Sequence, residues 1–323
     1  MQEFERKNSV WRVLPFYVYS YKFIDFERKI SKIHVIFELF FIKDVKNGGI
    51  FKMTVTEKNN DIIINGASCF DLRLSVFCGQ AFRWREKEGI IHGVVGRTRI
   101  NAVQNENGIV FKNTDRETFD KIIEPYFDLS RDYDKILSRF DDKYIEQAYK
   151  EYYGIRILKQ DEWEALCSFI ISQNNNIPRI CGIVSRLCEN FGEPLGEDDY
   201  SFPSYEKLAS LSEGDLAVLR AGFRAKYILD AAKKLSSGEV SIERIRNLPI
   251  EEAREELMKI KGVGKKVAEC TLLYGFGRLD AFPVDVWVKR ILSELYDGEF
   301  PSCADGYRGV AQQYLFHWRR NNG

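Results

Sequence analysis

Two ionisable side chains stand where the sequence predicts helices to begin. Lys266 falls in the first turn of a predicted helix, directly after the run Lys261-Gly262-Val263-Gly264-Lys265. Its amine becomes a nucleophile once it has lost its proton. Asp285 follows the loop Ala281-Phe282-Pro283-Val284 and occupies an N-cap position, where backbone amides can donate to its carboxylate. Both residues also have ordinary structural interpretations, because most helical lysines are simply exposed and an N-cap aspartate can act as a cap alone.

The turn before Lys266 carries a second chemical feature. The segment 257–270 predicts one helix that ends, a Gly-Val-Gly turn, and a second helix that begins. Gly262 and Gly264 permit positive φ and a close approach of the backbone, and the amides that open the second helix can bind a phosphate. Three lysines flank the turn, at Lys259, Lys261 and Lys265. The segment therefore indicates either a clamp for DNA phosphates or an ordinary tight connection between helices.

Composition excludes several other classes of protein. Lys plus Arg and Asp plus Glu both number 48, so a nucleic-acid partner is indicated only by the local lysine cluster. The seven cysteines contain no Cys-x-x-Cys pair and there are three histidines, so we expect no disulfide framework, no zinc or multi-histidine centre and no cofactor. The apolar run at 35–42 is too short to span a bilayer and no signal peptide is recognisable. We therefore expect a cytoplasmic protein that does not bind membranes.

The hydrophobic pattern changes once along the chain. From residue 61 to about 113, turn residues separate short β-prone runs, which predict an antiparallel sheet: Ile62–Ile64, Ala81–Trp84, Ile90–Val95, Arg99–Val103 and Ile109–Phe111. After Arg116 the period is helical, and this second part is predicted to be all helical. A chain of 323 residues is long enough for two domains. We therefore expect an α+β protein with a β domain at 53–115 and a helical domain at 116–323.

Residues 1–52 form an atypical N-terminal extension, rich in Phe, Tyr and Lys and without a clear period. Just before Met53, the codons for Gly48 and Gly49 could form a purine-rich ribosome-binding site. One hypothesis is that translation naturally starts at Met53 and that the extension is an upstream mistranslation; the alternative is a genuine extra hairpin or helix. Mass spectrometry of the native N-terminus distinguishes them, since a peptide from residues 1–50 would contradict the first hypothesis.

Six segments in a fixed order resemble the helix-hairpin-helix, Gly/Pro-rich-loop, catalytic-Asp superfamily of DNA glycosylases, and most closely its 8-oxoguanine DNA glycosylases. The resemblance runs from about Ser68 to Trp318 and implies a small antiparallel β-sheet domain packed on a two-lobed, all-helical body. It also implies a monomeric, bifunctional DNA glycosylase/AP lyase that excises 8-oxoguanine opposite cytosine from double-stranded DNA in base excision repair. The segments are FCGQAFRWR (77–85), FIISQNNNIPRICGIVSRLCENFG (169–192), AGFRAKY (221–227), KGVGKKVAEC (261–270), FPVDVWV (282–288) and AQQYLF (311–316).

The resemblance assigns the chemistry to two residues. The target base must leave the duplex, because its sugar carbon is shielded within the stack. Lys266 then attacks the anomeric carbon, expels the base and becomes a Schiff base that permits β-elimination. Asp285 stabilises the cationic sugar and orients the nucleophile.

Base recognition is implied at four further positions. The carbonyl of Gly79 accepts the N7 hydrogen that 8-oxoguanine has and guanine lacks, and an unmatched contact there costs about 1–3 kcal/mol. Cys270 and Phe316 sandwich the base, and Gln312 reads its Watson–Crick edge. Cys270 and Phe316 also fit an ordinary core.

DNA binding is implied at the hairpin residues Gly262, Val263, Gly264 and Lys265 and at four other positions. Asn174 enters the gap that the base leaves, while Arg179 and Arg224 hydrogen-bond the orphaned cytosine; alternatively, these are a turn-forming Asn and solvated arginines. Trp287 stands where animal members of the family usually have His, and Phe223 where they have Tyr. These two departures predict altered contacts with DNA phosphate or lesion and looser selectivity for the opposing base.

Main-chain carbonyls of Met258, Ile260 and Val263 are where relatives often hold a monovalent cation. Three rival interpretations fit the sequence less well. An iron-sulfur glycosylase needs four closely spaced cysteines after Asp285, where only Cys303 follows. An alkylbase glycosylase normally lacks the lysine at 266, and a non-catalytic DNA-binding protein would need neither Lys266 nor Asp285.

Overall fold

The N-terminal part of the described chain is an antiparallel sheet of six strands. The computed structural model describes residues 53–322, so the extension predicted at 1–52 lies outside the described residues. The sheet has the order β1-β2-β6-β5-β4-β3. Its strands are β1 (Thr54–Lys58), β2 (Asp61–Asn65), β3 (Trp84–Lys87), β4 (Ile90–Val95), β5 (Thr98–Asn105) and β6 (Gly108–Lys112).

Alternating apolar residues explain which face of this sheet is buried. Ile62 pairs with Phe111 and Ile64 with Ile109 across β2 and β6, and all four side chains are buried. Period-two alternation places such residues on one face, as the sequence predicted. The run Ala81–Trp84 is the exception, because only its last residue belongs to a strand.

Helices form most of the rest. The segment before β3 already contains α1 (Leu72–Phe77), which the strand pattern did not predict; Asp71 caps it by accepting from Leu74 N at 2.7 Å. After the sheet come α2 (Arg116–Thr118), a π-helical turn (Phe119–Ile123) and α3 (Glu124–Tyr126). The remaining helices are α4 (Tyr133–Leu137), α5 (Lys143–Glu151), α6 (Glu162–Ser172), α7 (Ile177–Phe191), α8 (Tyr205–Ala209), α9 (Arg224–Ser237), α10 (Ile242–Asn247), α11 (Ile250–Met258), α12 (Lys265–Tyr274), α13 (Val286–Leu295) and α14 (Arg308–Asn322), with 3₁₀ turns at Asp215–Leu219 and Ser302–Ala304.

The prediction that the second part is all helical is wrong at one place. Strands β7 (Pro194–Gly196) and β8 (Asp199–Tyr200) form a small hairpin. It forms because Glu197 and Asp198 take up positive φ at the turn, and because Asp199 binds Arg85 at 2.8 Å and Arg99 at 3.0 Å on the large sheet. The hairpin depends on ion pairs with a segment that is distant in sequence. The periodicity of the local sequence gives no indication of such pairs.

Two hydrophobic cores lie side by side, one between the sheet and the helical segment that follows it and one inside the helical body. Phe119, Ile123 and Phe127 belong to the sheet's core. A buried ion pair, Arg83 with Glu164 at 2.9 Å, joins the start of the sheet's third strand to α6. The predicted α+β class, a small antiparallel sheet packed on a helical body, is confirmed. Among residues 53–322, no helix is long and apolar enough to cross a bilayer.

Candidate active site

A cavity of about 430 Å³ lies between helices α6, α12 and α14 and the loop that leads into α13. Such a volume falls in the range of small-molecule pockets. Residues predicted from distant parts of the sequence meet around it: Gly79, Lys266, Cys270, Asp285, Trp287, Gln312 and Phe316. The fold therefore brings the predicted nucleophile, carboxylate and base-recognition residues together.

Lys266 reaches this cavity from the first turn of α12. Its Nζ donates to Ser172 Oγ at 3.1 Å and lies 5.4 Å from the centroid of the Phe169 ring. Ser172 in turn donates to the carbonyl of Phe169 at 2.8 Å. The helix end of α6 thus fixes the position of the amine while leaving it on the cavity wall. Sequence reasoning did not find Ser172 or Phe169, because their relevance depends on how α6 packs against α12.

Asp285 combines capping with access to the cavity. Its Oδ1 accepts from Val288 N at 2.9 Å and so caps α13, as predicted. The same residue lines the cavity with Lys266. Capping fixes the carboxylate without removing it from the site, so the structural and the chemical interpretations are compatible.

Glu269 ties these two residues together and was not predicted. It is buried on α12, three residues after Lys266. Its Oε2 accepts from Phe282 N at 2.8 Å, and its Oε1 is paired with Arg254 on α11. One buried carboxylate therefore connects the hairpin to the loop that precedes Asp285.

Gly79 lines the cavity next to Ile177 and Phe316. Its φ is +95°, and a Cβ at this position would lie 3.2 Å from Arg320 Nη1 and 3.3 Å from Ile177 Cδ1. Next to it, the buried side chain of Gln80 donates to Arg156 O at 2.7 Å and accepts from Leu158 N at 2.9 Å. Gln80 thus holds the Gly79 segment rigidly against the helical body.

Helix α14 contributes the third wall. Gln312 is 4% exposed, and its Oε1 has no hydrogen-bond partner among the described residues. Phe316 lies one turn later and Arg320 another turn on, and all three line the cavity. An unpartnered buried polar atom is costly, so Gln312 Oε1 is available to a ligand.

Cys270 closes the cavity beside the amine. Burial raises the pKa of its thiol to about 11, although the neighbouring Lys266 charge acts in the opposite direction. The sulfur is therefore protonated at neutral pH and presents a soft, uncharged surface.

The predicted hairpin forms the turn between α11 and α12. Gly262 has a φ of +81°, and a Cβ there would lie 2.3 Å from the Tyr227 ring. Asp230 stabilises the turn, because its carboxylate accepts a hydrogen bond from Lys261 N at 2.7 Å. Gly264 and Lys265 are exposed, and within residues 53–322 no side chain caps the first amides of α12. These amides are free to bind an anion, which is the geometry of a phosphate site.

The residues predicted to contact the opposing strand cluster at the end of α6. Asn174 and Arg179 are exposed, and Asn174 has a φ of +47°. Arg224 is instead buried. Its Nε donates to the carbonyl of Gln173 at 2.9 Å, and its Nη2 donates to the carbonyl of Asn174, also at 2.9 Å. Burial, together with the Arg179 charge, lowers the pKa of Arg224. Arg224 therefore supports the turn that carries Asn174.

Trp287 lies on the cavity rim, with the Arg290 guanidinium 5.4 Å from its ring centroid, and Phe223 is 44% exposed. Of the carbonyls predicted to hold a cation, that of Ile260 accepts a hydrogen bond from Val263 N at 3.0 Å. No cluster of three or more His, Cys, Asp or Glu side chains suited to a metal occurs within residues 53–322.

Comparison with known proteins gives concordant matches. The chain matches the 8-oxoguanine DNA glycosylase N-terminal domain over residues 62–166 and the HhH-GPD superfamily base excision DNA repair protein over residues 167–299. A probable N-glycosylase/DNA lyase of Methanothermobacter thermautotrophicus is 31% identical over 303 residues, which cover 79% of this chain and 95% of the relative.

Two solved structures are similar along nearly their whole length. MBOgg1 in complex with a low-affinity DNA ligand is 40% identical with a TM-score of 0.78, covering 84% of this chain and 99% of that one. The Clostridium acetobutylicum 8-oxoguanine glycosylase/lyase, in complex with double-stranded DNA containing cytosine opposite 8-oxoguanine, is 36% identical with a TM-score of 0.77. The match covers 83% of this chain and 98% of that chain.

Proposed function

Because the chain belongs to the 8-oxoguanine DNA glycosylase family of the HhH-GPD superfamily, we propose that it excises 8-oxoguanine paired with cytosine in duplex DNA. It is a DNA glycosylase with AP lyase activity that acts in base excision repair. One observation carries the choice of substrate: the Lys266 amine, Asp285 and the unpartnered Gln312 Oε1 line a single cavity.

The proposed chemistry begins when the Lys266 amine attacks C1′ of the extruded nucleotide. A bond forms between Nζ and C1′, the bond from C1′ to N9 breaks, and the base leaves with a proton. One proton of the amine goes to the leaving base and the other to O4′ as the C1′–O4′ bond breaks, the sugar ring opens and a C=N bond forms, which gives a Schiff base. Loss of a proton from C2′ then expels the 3′ phosphate by β-elimination. Asp285, fixed by its cap bond, stabilises the positive charge that develops on the sugar.

Recognition of the base follows from the other walls of the cavity. We assign the Gly79 carbonyl to the N7 hydrogen of 8-oxoguanine, and the Gln312 amide to its Watson–Crick edge. Cys270 and Phe316 hold the two faces of the ring. Guanine has no hydrogen on N7, so two acceptors would face each other and cost about 1–3 kcal/mol.

The DNA itself is bound by exposed elements on both sides of the cavity. The turn of Gly262, Val263 and Gly264 and the charge of Lys265 bind phosphates, although the Val263 amide itself donates to Ile260 O within the turn. Asn174 fills the gap in the stack. Arg179 and Arg224 act on the orphaned cytosine, Arg224 in part by supporting the Asn174 turn.

Several further assignments belong to this proposal. The enzyme acts as a monomer on the nucleoid in the cytoplasm. The boundary between its β domain and its helical domain lies between residues 115 and 116. Trp287 contacts DNA phosphate or the entering lesion. Carbonyls of Met258, Ile260 and Val263 hold a monovalent cation at the hairpin.

Borohydride trapping tests the proposal. Purified protein is incubated with a duplex that contains 8-oxoguanine opposite cytosine, beside Lys266→Gln and the exposed neighbour variant Lys265→Gln. We expect a covalent adduct with wild type and Lys265→Gln, and none with Lys266→Gln. Binding of the duplex by wild type without any adduct would contradict the lyase chemistry at Lys266 and leave a DNA-binding role.

The opposing base is tested separately, because Phe223 lacks the hydroxyl of the tyrosine found in animal relatives. Excision of 8-oxoguanine opposite C, A, G and T is compared under single-turnover conditions. We expect a preference for cytosine with measurable excision opposite the other bases. Activity confined to cytosine would contradict the looser selectivity.

A further inference from the structure

Helix α14 presents three polar or aromatic side chains to the cavity at intervals of four residues: Gln312, Phe316 and Arg320. This spacing places them on one face of the helix, with Gln312 and Arg320 at opposite ends. The proposed function already assigns roles to Gln312, which recognises the Watson–Crick edge of the base, and to Phe316, which stacks on its face. Arg320 was not predicted, and nothing in the proposed mechanism uses it.

The environment of Arg320 is unusual for an arginine. Its Nη1 is buried and has no hydrogen-bond partner among residues 53–322. Its guanidinium carbon lies 5.9 Å from the centroid of Phe316, the ring proposed to stack on the base. The adjacent Arg319, by contrast, is paired with Glu294 on α13. A buried donor that no protein group satisfies is expected to be satisfied by a ligand.

The position of this donor relative to Gly79 indicates which part of a ligand it meets. Nη1 lies 3.2 Å from the point where a Cβ of Gly79 would be. The proposed function gives the Gly79 carbonyl the N7 hydrogen of the lesion. In 8-oxoguanine, N7 is flanked by two exocyclic oxygens, O6 and O8, and both are acceptors. Arginine has only donors and therefore complements either oxygen.

We propose that Arg320 is a specificity-determining residue that donates a hydrogen bond from Nη1 to an exocyclic oxygen beside N7 of the extruded base. This inference rests on the proposed function. Gln312 at one end of α14 and Arg320 at the other thus read opposite edges of one purine, with Phe316 on its face. If the contacted oxygen is O6, the arrangement also disfavours adenine, because its amino group at C6 would face the guanidinium donor.

The test separates base reading from a contact with phosphate and from a structural role. Arg320→Met and Arg320→Lys are compared with wild type and with Arg319→Met as the matched control. Each variant is measured in single turnover on 8-oxoguanine opposite cytosine and, for strand cleavage, on a duplex with a preformed abasic site. The abasic substrate has no base, so a residue that reads the base has no effect on it.

We expect Arg320→Met to slow excision of 8-oxoguanine about ten- to hundred-fold, as for loss of a charged hydrogen bond, and to leave abasic-site cleavage within about twofold of wild type. Arg320→Lys retains part of the rate, and Arg319→Met resembles wild type. Normal excision by Arg320→Met, or an equal loss on both substrates, would overturn the proposal. If wild type does not process 8-oxoguanine at all, the proposed function itself fails, which is a distinct result.

The oxygen that Arg320 contacts is identified by affinity in the Lys266→Gln background. Duplexes with 8-oxoguanine and with 8-oxoadenine are compared, because the second keeps O8 and replaces O6 by an amino group. If adding Arg320→Met lowers the affinity for both duplexes equally, Arg320 contacts O8. If the affinity falls only for the duplex with 8-oxoguanine, Arg320 contacts O6. No loss on either duplex would overturn the contact.

Discussion

The backbone N–H of Phe282 donates to the buried carboxylate of Glu269 at 2.8 Å. Glu269 lies three residues after Lys266, and Phe282 lies three residues before Asp285. This single bond therefore joins the helix of Lys266, the proposed nucleophile, to the loop of Asp285, the proposed catalytic carboxylate. Because the other oxygen of Glu269 is paired with Arg254, the hairpin helix α11 is fixed to the same point.

Replacement of Glu269 by Ala is expected to weaken both stability and chemistry. The side chain is 3% exposed, and its removal leaves Arg254 Nε and the Phe282 amide without their common partner. Breaking a buried pair in this way costs about 3–5 kcal/mol of unfolding free energy. Urea unfolding and the single-turnover rate of adduct formation measure the two effects.

The matched control for Glu269 is Glu251, which also pairs with Arg254 but is 72% exposed. Glu251→Ala leaves the bond to Phe282 intact, and an exposed pair contributes about 0–1 kcal/mol. Similar losses in the two variants would contradict the role assigned to Glu269.

Two glycines of the hairpin are expected to respond differently to alanine. Gly262 has a φ of +81° and faces the Tyr227 ring, whereas a Cβ on Gly264 would meet nothing within 4 Å. Gly262→Ala should therefore destabilise the fold by about 1–3 kcal/mol through backbone strain. Gly264→Ala should unfold as wild type does, and thermal unfolding of both variants checks this. Equal melting temperatures would show that the turn tolerates a side chain at 262.

Lys265 is expected to bind a phosphate through its charge alone. It is exposed beside the free amides of α12. Replacement by Ala should weaken binding of every duplex to a similar extent and reduce the slope of log affinity against log salt by about 1. Fluorescence anisotropy over a salt series measures this slope. An unchanged slope would place the phosphate elsewhere.

Cys270 is expected to react slowly with alkylating agents despite its neighbour Lys266. Burial raises the pKa of its thiol to about 11, so little thiolate exists at pH 7.5. Labelling by iodoacetamide, followed by peptide mass spectrometry, should increase about tenfold for each pH unit up to pH 10. The partly exposed Cys181 serves as the internal comparison. A labelling midpoint near pH 7 would instead indicate a thiolate paired with Lys266.

His317 is expected to make the protein less stable in weak acid. Burial, with a smaller effect of Arg320, lowers the pKa of this imidazole from 6.5 to about 4. Between these two values the unfolded chain binds a proton that the folded chain does not, so stability falls as the pH falls from 6.5 to 4. Urea unfolding at pH 7 and pH 5 should show a smaller decrease in His317→Gln than in wild type. The same decrease in both proteins would assign the acid sensitivity to other groups.

Elements with strong local signals were predictable from the sequence. Lys266 and Asp285 are both close to helix starts, and a Gly-rich turn or an N-cap is encoded by a few adjacent residues. The period-two runs of the sheet and the period of the helices likewise depend only on neighbours along the chain. For the same reason the α+β class was predicted correctly, and the motif residues Lys266 and Asp285 could be chosen as candidates that the fold places on one cavity.

Only the tertiary structure determined the contacts between segments that are far apart in sequence. Glu269, Gln80 and Ser172 have no local signal, because each acts through a partner that packing brings to it. Arg320 likewise comes close to Gly79 only in the packed fold. The β7–β8 hairpin also depends on Arg85 and Arg99 of a distant sheet. By itself the sequence determined most of the helices and the main sheet, and which side chains could react. The packed cores determined which of those side chains meet, because burial leaves each polar group only the partners that its neighbours provide.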